Sequence, residues 1–140
     1  MALGFEQVNI GDDLPERSNR VDRAQLVMYA GASGDFNPIH WNEEFAKMVG
    51  LPGVISHGMF TMALVAKVVT DWAGDAGPIR MLSVQFRKEV RPEETVVARG
   101  RVVEKNEDSR TVRVELWAEV ERDGETIRPI KNGQAVLELP

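Results

Sequence analysis

Two spacings of apolar residues divide this chain near residue 80. From Arg80 onward the period is two: Leu82, Val84, Phe86 and Val90 alternate with Ser83, Gln85 and Arg87. Val112, Val114, Leu116, Ala118 and Val120 then alternate with Arg113, Glu115, Trp117, Glu119 and Glu121, the pattern of a strand with one wet face. Val96 to Val103 predicts a further strand, turned by residues 106–109, and Asp123-Gly124 is a two-residue hairpin signal. Ile127 to Leu139 closes the chain, and Pro129 and Gly133 inside it predict an irregular or bulged strand.

Before residue 80 the spacing is helical. Asp22 and Gln25 stand at capping-box distance ahead of the apolar run Leu26 to Ala30, which predicts a helix from Arg23 to about Ala32, ended by Gly31 and Gly34. Asn42 is placed to cap a second short helix through Val49, with Gly50 as terminator. The segment His57 to Ala73 has apolar residues on nearly every side, which predicts a long helix buried almost all round. Residues 1–21 hold scattered apolar positions (Leu3, Phe5, Val8, Ile10, Leu14) and predict a short strand and a loop.

The expected fold class is α+β: two short helices, one long buried helix, then an antiparallel meander of about four strands, all in one domain over residues 1–140. One sheet face is covered by the chain's own helix, and the sheet edge invites a second molecule, so a dimer is expected. A hydrophobic content of 43% and a charged content of 28% fit a globular protein rather than a disordered one. Net charge is −5 and spread along the chain, which gives no reason to expect nucleic acid or an anionic membrane as partner. The absence of cysteine excludes disulfides and thiolate nucleophiles. The first sixteen residues hold acids and no Lys or Arg, unlike a signal peptide, and Met59 to Ala73 is interrupted by Thr61, Lys67, Thr70 and Asp71, so neither secretion nor membrane insertion is expected and the cytoplasm is the expected location.

Chemistry concentrates at Gly34-Asp35-Phe36-Asn37-Pro38-Ile39-His40. Proline fixes its own φ, lacks an N–H and pushes Asn37 out of the α region, so no helix runs from Asp35 to His40. A bent loop then brings a carboxylate and an imidazole together, a pair suited to general acid–base work. Taken alone, the same residues also read as an Asx turn leading into a helix, with His40 as a packed polar residue.

The longer run Tyr29-Ala30-Gly31-Ala32-Ser33-Gly34-Asp35-Phe36-Asn37-Pro38-Ile39-His40, followed by Ser56-His57-Gly58-Met59, resembles the hydratase signature of the MaoC-like (R)-specific enoyl-thioester hydratases and dehydratases. Within them it is most similar to the B-type subunit of the mycobacterial (3R)-hydroxyacyl-carrier-protein dehydratase. The resemblance implies a hot-dog fold, a long central helix wrapped by an antiparallel sheet. It also implies Asp35 and His40 as the acid–base dyad, Asn37 shaping the loop near the thioester, and the backbone N–H of Gly58 polarising the thioester carbonyl. Ser56 and His57 are expected beside the substrate, where Ser56 also reads as a helix cap and His57 as a structural residue that packs or bonds to the loop. Where some hydratases of this kind carry a serine about two helical turns beyond the glycine, this chain has Ala66, with Thr61 and Thr70 on either side.

The implied reaction adds water to a trans-2-enoyl thioester or removes it from a 3-hydroxyacyl thioester, without a cofactor. The substrate would be carried by coenzyme A or an acyl carrier protein, and the dimer would be homomeric or formed with a related hot-dog subunit. With only two histidines no metal site is expected. A non-catalytic acyl-binding partner subunit and a hot-dog thioesterase are the competing readings; the intact Asp35 and His40 oppose the first, and the Asn-Pro-x-His bend is not the arrangement associated with the second. Arg87, Lys88 and Arg91 stand where they could meet substrate phosphates or form a solvated strand end.

Overall fold

Alternation along Thr111–Arg122 translates directly into one dry and one wet face in the computed structural model, which describes residues 2–74 and 77–140. This strand, β4, buries Val112, Val114, Leu116, Ala118 and Val120 and turns the intervening side chains outward. It is the centre of a five-stranded antiparallel sheet ordered β1-β3-β4-β5-β2, with β1 at Arg17–Arg20, β2 at Ile79–Phe86, β3 at Thr95–Asn106 and β5 at Glu125–Glu138. Register is held because a one-residue slip would carry the valines to the wet face.

Helix α3, Gly58–Ala73, lies against the sheet and packs Val65, Val68 and Val69 into the same core. Each such side chain fully withdrawn from water contributes about 1.5–3 kcal/mol. A long helix wrapped by an antiparallel sheet is the hot-dog arrangement. Helices α1, Arg23–Ser33, and α2, Glu43–Met48, precede it. Asp22 caps α1 through the N–H of Gln25, Asn42 caps α2 through that of Phe45, and Gly34 takes the left-handed conformation (φ 76°) that ends α1.

Three expectations are corrected. The meander comprises only β3, β4 and β5; β2 pairs with β5 at the far edge, so residues 87–94 must cross to the opposite side of the sheet. Alternation identifies a strand but carries no information about its neighbour. Second, α3 is not buried all round: Met59, Ala63, Lys67, Thr70 and Asp71 form an exposed stripe at helical spacing. Third, Gly31 lies inside α1 rather than ending it, because its φ is ordinary while that of Gly34 is not.

The first strand falls on the polar residues Arg17–Arg20, while the apolar residues ahead of it supply a 3-10 turn and loop. Phe5 there is fully buried beneath Lys105, whose ammonium donates to the Phe5 and Val8 carbonyls. Irregularity near Pro129 and Gly133 is present as expected, with register shifts on both flanks of β5. A Cβ at Gly133 would stand 2.6 Å from the Leu116 carbonyl oxygen, which is why the bulge uses glycine.

Candidate active site

The bend between α1 and α2 is fastened at every step by its own polar groups. Ser33 Oγ accepts from the Asp35 N–H, Asp35 Oδ1 from the Asn37 N–H, and Asn37 Oδ1 from the Ile39 N–H. Asn37 thereby caps the short 3-10 turn Pro38–His40, and Trp41 Nε1–H donates to the Phe36 carbonyl across it. With Oδ1 committed to the backbone, Asp35 presents Oδ2 to His40 Nε2 at 3.8 Å. The carboxylate is 52% exposed and the imidazole 8%, so an open acid faces a sheltered base.

His40 is held in one tautomer. Its Nδ1 lies 2.7 Å from the Ile55 carbonyl, which only accepts, so Nδ1 carries the proton and neutral His40 has its lone pair at Nε2, toward Asp35. The Ile55 N–H in turn donates to the Ile39 carbonyl, closing a two-point clamp between the bend and the approach to α3.

His57 lies behind this pair and is 1% exposed. Its ring stacks on that of His40 with centroids 3.7 Å apart, Tyr29 meets it edge-on, and its Nε2–H donates to the Asp35 carbonyl at 3.1 Å. One side chain therefore touches both His40 and the main chain of Asp35. Burial away from water, reinforced by proximity to His40, lowers the His57 pKa from its usual value despite the opposing pull of the Asp35 carbonyl. Nδ1 of His57 has no partner among the described residues.

Asp35, His40 and His57 bring potential metal-binding atoms within 4.8 Å of one another. The stack argues against a shared ion. Two stacked rings inclined by only 22° direct their lone pairs along nearly parallel planes, so they do not converge on one point.

Gly58 is the first residue of α3, so its N–H has no acceptor within the helix and points from the positive end of the helix dipole. It borders a cavity of about 290 Å³ shared with Ser56, Thr61, Phe86 and Val90. A Cβ at position 58 would lie 3.2 Å from the Phe86 ring, so glycine leaves that mouth clear. Ser56 does not cap α3 as its position suggested. His57 is the cap residue and forms no side-chain cap bond, while Ser56 Oγ turns to the His57 carbonyl. Of the residues near the expected serine position, buried Thr61 borders the cavity, whereas Thr70 is exposed and bonds within its own helix.

One functional support left no mark in the sequence. Ser56 N–H donates to the Val90 carbonyl, and the loop bearing Val90 is gripped by Arg122 from β4, which binds Glu94 at 2.7 Å and also reaches Glu89 and its carbonyl. Arg122 and Glu94 are each 13% exposed. For Glu89 burial raises the pKa, but Arg91 and Arg122 more than offset it and hold the carboxyl below its usual range. Arg91, a candidate for substrate phosphates, is thus committed to Glu89. No spacing rule links residues 89, 94 and 122; only the fold brings them together.

Residues 7–123 match the family described as the MaoC like domain. The chain is 48% identical over 68 residues to the fatty acid synthase beta subunit TOXC of Cochliobolus carbonum, 46% of this chain but 3% of that one. It is 45% identical over 71 residues to the 3-hydroxyacyl-thioester dehydratase X of Mycobacterium tuberculosis, covering 51% of this chain and 24% of that one. The matched stretches therefore cover a quarter or less of the length of these relatives. A solved MaoC-like dehydratase superposes with a TM-score of 0.88 at 34% identity, over 99% of this chain and 43% of the other. By sequence match and fold together, this chain belongs to the MaoC-like domain family.

Proposed function

We propose that this chain is a hydro-lyase that interconverts (R)-3-hydroxyacyl and trans-2-enoyl thioesters, with Asp35 and His40 as its acid–base dyad. The observation that carries this reading is the single tautomer of His40, which aims a basic nitrogen at an exposed carboxylate across a 3.8 Å gap. A water about 2.8 Å from both atoms fits over such a gap. In hydration the dyad takes one proton from that water as its hydroxyl adds to C3, and returns a proton to C2, so that the elements of one water end on the product. The proton count of the pair is unchanged over the cycle.

Negative charge developing on the thioester oxygen would be met by the free N–H of Gly58 at the start of α3. Asn37 serves by fixing the bend rather than through its carbonyl oxygen, which is already occupied. Ser56 and His57, both buried, support the site from behind. The family and the names of the relatives, a thioester dehydratase and fatty acid synthase subunits, agree with this chemistry. A dimer is supported by large exposed apolar side chains near the bend and α3, among them Phe36, Trp41, Met59 and Phe86.

The test is hydration of crotonyl-coenzyme A by the purified chain, followed as loss of enoyl absorbance, beside His40→Ala and Asp35→Asn. Turnover by the wild type with loss in both variants is the expected result. Turnover that survives both substitutions would sink the dyad.

A further inference from the structure

Basic side chains in this protein nearly always face carboxylates. Of its 17 lysines and arginines, only Arg87, Lys88, Lys105 and Lys131 make no ion pair among the described residues. Lys105 is occupied by the Phe5 and Val8 carbonyls. The other three line one groove of about 560 Å³, where Arg128 joins them and, among the described residues, no Asp or Glu contributes to the wall. In a chain of net charge −5, this is a local reversal of sign.

The groove is built by the fold. The N–H groups of Arg87 and Lys88 both donate to the Pro129 carbonyl, which pins the end of β2 against the bulge of β5 and sets one pair of cations beside the other. Gln85 ties two lining residues together: its Oε1 accepts from the Arg87 guanidinium at 2.6 Å and from the Asn132 amide at 3.0 Å. Arg128 is only loosely engaged, 3.6 Å from Glu119 and over the Trp117 ring. Arg87 and Lys88 also border the cavity that begins at Gly58, so the two spaces adjoin.

From this continuity we propose that Arg87, Lys88, Arg128 and Lys131 form a subsite for the phosphate groups at the far end of a pantetheine arm, those of coenzyme A. The proposal rests on the acyl-thioester reading, since the thioester end would occupy the cavity at Gly58. Several cations suit several phosphates: guanidinium and ammonium groups donate charge-assisted hydrogen bonds to phosphate oxygens, and four together match a pyrophosphate with a further phosphate better than one phosphodiester.

The experiment measures binding without catalysis. Free coenzyme A, 4′-phosphopantetheine and pantetheine are titrated calorimetrically into the wild type, the double variant Lys88→Gln/Lys131→Gln, and Lys88→Arg/Lys131→Arg. Coenzyme A is expected to bind at least about tenfold tighter than pantetheine, with the difference abolished by the glutamines, retained by the arginines and weakened by salt. Phosphopantetheine binding more weakly than coenzyme A supports contacts to the several phosphates of the nucleotide end; phosphopantetheine matching coenzyme A overturns that assignment, since a single phosphate would then suffice. Unchanged coenzyme A affinity in the glutamine variant, or an equal loss for pantetheine, overturns the subsite. Crotonyl-coenzyme A turnover separates the two proposals. Binding lost in the variant beside a catalytically silent wild type keeps the subsite and removes the hydratase reading. Equal kcat/KM in wild type and variant does the reverse.

Discussion

Two arrangements of carboxylates with basic partners lie close to this site, and they are built in opposite ways. Arg122 and Glu94 meet at 2.7 Å, both sheltered, with Glu89 and its carbonyl completing the set. Asp35 and His40 meet at 3.8 Å, the acid half exposed, with one carboxylate oxygen and one ring nitrogen left facing each other. A saturated cluster has nothing left to offer a substrate, and removing one member strands the rest. A pair fixed at its outer atoms and open at its inner ones keeps its geometry while retaining capacity for protons. Completeness suits a scaffold; under the proposed reading, the pair short of partners is where the chemistry takes place.

Substitutions sharpen that contrast. The largest effect is expected at the open pair, where His40→Ala or Asp35→Asn lowers kcat for crotonyl-coenzyme A hydration about 10³-fold with little change in thermal midpoint. Turnover that survives both substitutions, or unfolding of both variants, would break the contrast. Arg122→Ala is expected to act the other way, lowering unfolding free energy by about 3 kcal/mol in urea titration because Glu89 and Glu94 lose their shared partner. A near-neutral result would show the cluster to be decorative.

Gly58→Ala keeps the N–H but sets a Cβ against Phe86 at the cavity mouth. It is expected to reduce kcat/KM about tenfold, read from initial rates, by shifting the thioester off the amide. The smallest effect concerns His57, whose folded pKa lies below its unfolded value. As pH falls through about 6.5 the unfolded chain takes up a proton that the folded chain refuses, so stability is full above that pH and declines below it until the folded pKa is reached. Melting curves between pH 5 and 8 should show the decline, and His57→Phe should flatten it.

Much of this was legible before the fold. Proline after Asn37 forces the bend, Asp22 and Asn42 announce their helices, and alternation on β4 marks its buried face because those effects act over a few residues. What escaped depends on distance along the chain. The place of β2 beside β5 is decided by packing, and the Arg122 cluster joins residues up to 33 apart. His57 is the instructive intermediate: its type and position drew notice, yet its bond to the Asp35 carbonyl and its stack on His40 needed the bend and the start of α3 to be brought face to face.

That carbonyl bond has an evolutionary corollary. His57 grips the main chain at position 35 and not the carboxylate, so this anchor survives a change of side chain there, and an asparagine would also keep an oxygen for the Asn37 N–H. Chemistry and architecture are therefore separately heritable here. If the proposed dyad holds, a descendant could exchange the aspartate in a single mutational step, fall silent as a catalyst and keep the shape of the bend, so that enzymes and their inactive companions would remain near neighbours in sequence space.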